Sequence, residues 1–253
     1  MIHTLFNQEV TLDKVEHKYY NKGGEQYLSF TRFFEYLSPK FDSHTISSHV
    51  ARSEGTTGEE VRAKWAKTAT DGTELDVALK HYSQTGQIQS VHAHLAEVVK
   101  EVSKKYKDYH RCYEDVVVFS NKYRVAGEID KLSLLSNRRN CSFHISDFKR
   151  FEKGMSYEPK GQKWLNYPFN HLVNSKFTKI AFQMSFYAYL FEQLTEHRCE
   201  QLFIDVIIPD GDKYRNEVVQ VNYLKMEVEY ALEHFSSRIL HDLEPKEDIV
   251  DEF

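Results

Sequence analysis

The stretch HISDFKRF, residues 144–151, closes a short apolar run with an acid, one spacer and a lysine. Residues two apart on a strand share a face, so Asp147 and Lys149 point the same way. The same holds for Glu128 and Asp130 in YRVAGEIDKLSLL, residues 123–135. If these two runs pair as a hairpin, Asp130 comes beside Asp147. Two carboxylates held close repel, and one pKa rises unless a cation sits between them. A divalent ion is the simplest remedy, and oxygen ligands suit Mg2+ or Mn2+ rather than zinc. Lys149 then faces an attacking water or a phosphate oxygen. Such a set suits phosphodiester hydrolysis, in which a metal acidifies bound water and a lysine stabilises growing charge. The plain alternative is an exposed ion pair at a strand end, which contributes little.

Strands and helices must position these groups. EHKYYNKGGEQYLSF, residues 16–30, reads as a hairpin with Gly23 and Gly24 in its turn. FTRFFEYLS then predicts a short helix that stops before Pro39. Residues 43–104 read as mostly helical. One helix is predicted near 57–67 with Trp65 buried, and a second starts at DGTELDVALKHY, where Asp71 and Glu74 have capping-box spacing. A third, 89–104, carries Val91, Leu95, Val98, Val99 and Val102 at helical spacing. Three strands follow, 113–120, 123–135 and 141–148, antiparallel if their short connections are turns. Residues 149–177 read as irregular. A helix over 178–194, strands at 200–209 and 217–223, and a helix near 224–240 complete the chain. This order predicts an α/β core with an added helical subregion.

Bulk properties narrow the class. The chain has 253 residues, 41% hydrophobic and 28% charged, as expected of a soluble globular protein. No run of about 18 apolar residues exists, so no membrane span is expected, and the N-terminus lacks a secretory pattern. Cys112, Cys141 and Cys199 are scattered without CxxC spacing, which argues against a disulfide framework, a zinc knuckle or an iron–sulfur cluster. An intracellular, reducing compartment is expected, such as the cytoplasm or nucleoid of a cell or a virus-infected cell. The net charge of −5 excludes a protein basic all over but permits a local basic cleft.

GEID, with DFK beginning 17 positions after Asp130, resembles motifs II and III of the PD-(D/E)XK nuclease superfamily. QMSFY matches the QxxxY signature of its RecB-type and phage lambda-type exonuclease branch. GTELD sits where that branch usually has GTxxH, and LSFTRFFEYLSPKFD resembles an entry segment of viral and mitochondrial members. The resemblance spans roughly residues 17–210. It implies a restriction-endonuclease-like core, a central mixed sheet flanked by helices, with an N-terminal helical subregion. It also implies Asp130 and Asp147 as metal ligands, the Phe148 carbonyl completing the shell, and Lys149 as the catalytic lysine. Gln183 and Tyr187, four apart on one helix face, would border the active site and the DNA end. Asp76 replaces the expected histidine. As a ligand it would favour Mg2+ or Mn2+; otherwise it is an ordinary surface helix residue.

Residues 149–179 hold seven basic groups against two acidic ones, with Tyr157, Trp164, Tyr167 and Phe169 interleaved. Arg150, Lys153, Lys160, Lys163, Trp164 and Lys176 are candidate nucleic-acid contacts, since cations follow phosphates and aromatics stack on bases. Arg32 and Lys40 are further candidates. A solvated loop is the bland alternative here, as core hydrogen bonding is for Gln183, packing for Tyr187, and sheet solvation for Glu114 and Glu128. One nuclease domain is expected over 1–242, helical over about 29–104 and catalytic over about 105–242. An acidic tail, 243–253, is expected to be disordered. The expected activity is Mg2+- or Mn2+-dependent DNA hydrolysis, by an exonuclease acting on ends or single strands in replication, recombination or repair. A replication or recombination protein is a candidate partner. The rivals are a non-catalytic nucleic-acid-binding module of this fold and a structure-specific endonuclease.

Overall fold

The computed structural model describes residues 9–40, 42–106, 109, 111–137, 140–211 and 213–244. The predicted tail, apart from Leu243 and Glu244, lies outside them. The strands are β1 (Val10–Asp13), β2 (Lys18–Asn21), β3 (Gln26–Ser29), β4 (Arg111–Ser120), β5 (Val125–Asn137), β6 (Asn140–Arg150), β7 (Pro159–Trp164), β8 (Val173–Ser175), β9 (Arg198–Asp210) and β10 (Lys213–Val221). The helices are α1 (Phe30–Leu37), α2 (Ser43–Glu54), α3 (Gly58–Thr85), α4 (Ala96–Lys104), α5 (Lys176–Leu194) and α6 (Lys225–Leu243).

The main sheet runs β1-β2-β3-β5-β6-β9-β10, with β4 beside β5. It is mixed: β3 pairs parallel to β5 and β6 parallel to β9, while the remaining pairs are antiparallel. Helices cover both faces, in agreement with the α/β class expected. On one face α1, α5 and α6 bury Phe33, Phe182, Phe186, Leu190 and Leu232 against Val118, Ile129 and Ile145. On the other, α3 and α4 bury Leu75, Leu79, Val99 and Val102 against Ile207 and Phe148.

Several predicted elements differ. Gly58–Thr85 form one helix, not two. Thr57 is its N-cap, and the capping box closes between Thr57 and Glu60. Asp71 lies mid-helix, where its carboxylate takes Lys67 at 2.9 Å and Arg150 at 3.0 Å. A single glycine such as Gly72 costs a helix about 1 kcal/mol, too little to break one this long. Trp65 is half-buried rather than buried. The helix predicted from 89 begins as a 3-10 turn, Ser90–Leu95, so Val91 drops out of the apolar stripe and is 67% exposed. In the segment read as irregular, β7 and β8 pair antiparallel.

The edges of β5 matter most. β4 pairs along one edge from Val125 to Leu134. The other edge takes β3 at Val125 and Ala126, then β6 from Lys131 onward. No described strand pairs on that edge between Gly127 and Asp130. The Tyr187 ring from α5 lies against one face of β5 at this point: a Cβ built on Gly127 would lie 2.2 Å from Tyr187 Cε1. Glycine is required there by close approach, not by backbone angle. Gly127→Ala is therefore expected to destabilise the fold by about 1–3 kcal/mol through overpacking. Urea denaturation measures this, and unchanged stability contradicts the placement of Tyr187.

Candidate active site

Lys131 pairs with Ser146 where the β5–β6 ladder begins. One further step of that register sets Asp130 opposite Asp147. Their carboxyls lie within hydrogen-bonding reach of each other. Beyond Ser146, the one described strand that pairs with β6 is β9, through Asp147–Ile204, Phe148–Asp205 and Lys149–Val206. The backbone of Asp147, Phe148 and Lys149 thus has no strand partner on its β5 side. Phe148 packs its ring into the α3–α4 layer, which leaves its main chain beside the acidic pair.

The electrostatics follow from crowding. Burial and the adjacent Asp147 push the Asp130 carboxyl up to about 7, although Lys149 and Lys80 oppose the rise. Lys149 Nζ lies 2.7 Å from Asp147 Oδ2. Burial alone would weaken the lysine's hold on its proton, but Asp147 and Asp130 together raise its pKa. Asp147 is 4% exposed, so the ion pair with Lys149 is a buried one.

Asp76 stands within electrostatic range of Asp130 and Lys149 and is paired with Lys80. Its Oδ2 is 2.7 Å from Lys80 Nζ, one turn along α3, and Lys80 reaches Asp115 Oδ1 at 2.7 Å as well. Burial raises the Asp76 carboxyl, with Lys80 opposing. Glu128 is likewise raised, by burial and then by Asp115. Among the described residues, no three His, Cys, Asp or Glu side chains come close enough together to hold a metal ion. Asp76 therefore does not close a ligand triad with Asp130 and Asp147. The donor set still fits a hard divalent cation. Two touching carboxylates, one raised by its neighbour, are what such an ion relieves.

Gln183 and Tyr187 share a face of α5, as their spacing predicts, and Gln183 Nε2 donates to the Tyr187 hydroxyl at 2.9 Å. Burial raises the Tyr187 pKa far above its usual value, with Asp130 and Asp147 adding to the effect. The pair therefore sits within electrostatic range of the carboxylates.

The candidate nucleic-acid contacts divide. Arg150 is spent on Asp71 at 3.0 Å and Glu152 at 2.9 Å, tying β6 to α3, and its side chain is 9% exposed. It is a structural link rather than a free phosphate contact. Lys153, Lys163 and Lys176 are exposed. Lys163 lies over the Trp164 ring at 4.9 Å and Lys176 over Phe151 at 4.7 Å. Trp164 is 40% exposed. Arg32 is exposed on α1, with a loose contact to Glu35 at 3.8 Å. The Lys160 side chain lies outside what the structure describes. Glu114 holds Lys131 at 2.9 Å. Sequence reasoning missed Lys80 and Asp115. The first was findable four residues after Asp76; the second carries a left-handed backbone, φ 52°, that no pattern signals.

Because Asp130 sits above its unfolded value of 3.8, its contribution to stability is full below about pH 4 and is lost as pH rises to about 7. Asp130→Asn is expected to match the wild type in urea stability near pH 4. At pH 8 without divalent ions it should exceed it by about 1–2 kcal/mol, allowing for solvent screening. Equal stability at both pH values contradicts the crowded pair.

No protein-family model and no curated protein matches the chain. Among solved structures, a provisionally named exonuclease of Eubacterium rectale is similar with a TM-score of 0.42 and 13% identity, over 86% of this chain and 81% of that one. The protein SSO0001 is similar with a TM-score of 0.30 and 13% identity, over 66% of this chain and 74% of that one. Likeness this distant carries no argument, and the reading of the site rests on its own geometry.

Proposed function

We propose that the chain is a metal-dependent nuclease of the PD-(D/E)XK type that hydrolyses DNA phosphodiester bonds, working from an end or on a single strand. The observation that carries this reading is the closeness of Asp130 to Asp147, with Lys149 as the adjoining cation. Asp130 and Asp147, with the Phe148 carbonyl, would hold Mg2+ or Mn2+. When bound, that ion acidifies water and polarises a phosphoryl oxygen. Lys149 would donate a charged hydrogen bond to a phosphate oxygen and so stabilise charge that grows in the transition state. Gln183 and Tyr187, bonded to each other, form a rigid wall beside the carboxylates. The exposed Lys153, Lys163, Trp164 and Lys176 form a surface on which a nucleic-acid strand can lie.

One observation favours a second reading. Asp76 is tied to Lys80 and supplies no third carboxylate, as suits a binding module that retains the fold without cutting. End-labelled linear and closed circular DNA, each incubated with Mg2+, Mn2+ or chelator, separates the readings. Cutting of linear DNA alone is the expected result; cutting of circles marks an endonuclease, and no cutting a binding module.

Asp130→Asn, Asp147→Asn and Lys149→Ala are each expected to slow cleavage by at least about 10²–10³-fold. Asp76→Asn should cost far less, and an equal loss there would make Asp76 a ligand. DNA affinity should fall steeply between 50 and 200 mM salt, as it does for any protein that neutralises several phosphates; a flat response removes the proposed surface.

A further inference from the structure

A cavity of about 350 Å³ lies between the α3–α4 layer and the sheet, and Asp130 and Lys80 form part of its lining. Its walls are mainly apolar and aromatic: Leu79 and Tyr82 from α3, Val102 from α4, Tyr106 just beyond α4, and Phe148 from β6. We infer that this cavity receives one nucleobase, that of the nucleotide whose phosphate lies at Asp130 and Asp147. The inference rests on the nuclease reading and adds the way in which that site grips its substrate.

Three observations converge on a base. First, the volume falls at the small end of the range for ligand pockets, room for one nucleotide unit rather than several. Second, the cavity shares Asp130 with the acidic pair, so its occupant is covalently close to the reacting phosphate. Third, Tyr106 is held rigid. Its hydroxyl donates to Asp205 Oδ2 at 2.7 Å, and Asp205, 1% exposed, also takes Lys105 and Asn216. The Tyr106 ring meets Phe148 edge-on with centroids 6.1 Å apart. A buried carboxylate with three donors thus fixes one aromatic wall, and a prefixed ring stacks a base with little loss of freedom.

The polar end of the cavity does not read base identity. Lys131 gives its ammonium to Glu114 at 2.9 Å and Ser83 at 3.3 Å, and lies over the Tyr106 ring at 5.1 Å. These groups satisfy one another, which leaves shape and stacking as the means of recognition. Stacking accepts every base. The site therefore requires a base and does not choose among the four.

The test scans a single abasic residue along a short DNA strand. Binding to the full-length wild-type protein is followed by fluorescence anisotropy in Ca2+, and cleavage in Mg2+. One position, adjoining the scissile phosphate, is expected to lose roughly 5- to 100-fold in affinity, the range for one stacked base, while exchange among the four bases there changes little. Ser83→Trp, which fills the cavity from an exposed position of α3 at its rim, should lower affinity for the intact strand and abolish this position dependence. A flat abasic scan with cleavage intact overturns the pocket and leaves the nuclease reading standing. Strong selection of one base also overturns it. Absence of both binding and cleavage overturns the two together.

Discussion

The repulsion between Asp130 and Asp147 is the constraint on which the site depends. Nothing local favours their contact. It is imposed by the ladder that begins at Lys131 and Ser146 and by the core flanking it. Ile129, Leu132 and Ile145 are at most 1% exposed, and so are Ile204 and Val206 on the neighbouring β9. Each such side chain contributes about 1.5–3 kcal/mol on burial, so together they outweigh the electrostatic cost of two adjacent acids. The sheet can hold a charge arrangement that would fly apart in a flexible loop. That is also why the pair responds to a proton or a cation rather than to rearrangement.

The lysines divide the acids around this pair into two groups. Lys149 takes Asp147, while Lys80 takes Asp76 and Asp115. Asp130 and Glu128 enter no ion pair among the described residues, and both are raised by burial. Two carboxylates of this cluster, Asp130 and Glu128, are thus left without a cationic partner among the described residues. Asp76 thereby anchors a lysine that ties α3 to β4.

Much of the site was legible because period-two and period-four rules act over short distances. Asp147 and Lys149 share a strand face, and Gln183 and Tyr187 share a helix face, for reasons internal to each element. The hairpin that joins Asp130 to Asp147 could be stated only conditionally, since register is a tertiary property. What stayed hidden depends on contacts distant in sequence. Arg150 looks like a phosphate ligand until Asp71, some 80 residues earlier, is seen to hold it. The α3 helix runs through Gly72 because packing of Leu75, Ala78 and Leu79 overrides a weak local break. Val91 fits a helical stripe but belongs to a 3-10 turn with another periodicity.

One departure from strand alternation joins the two halves of the site. On β5, Ile129 and Leu132 both enter the core beneath α5, three residues apart instead of two. On β4, Tyr113 and Val116 do the same. Between them lies Asp115, whose left-handed backbone marks a local irregularity of the kind that re-aims side chains. Asp130 sits across from it, at the slip. Counted from Leu132 and Leu134 it belongs to the α5 face, with Asp147 and Lys149; counted from Glu128 it belongs to the opposite face. A regular strand would have committed Asp130 to one side. The slip lets a single carboxylate take part in the acidic pair and also line the cavity beneath α3 and α4.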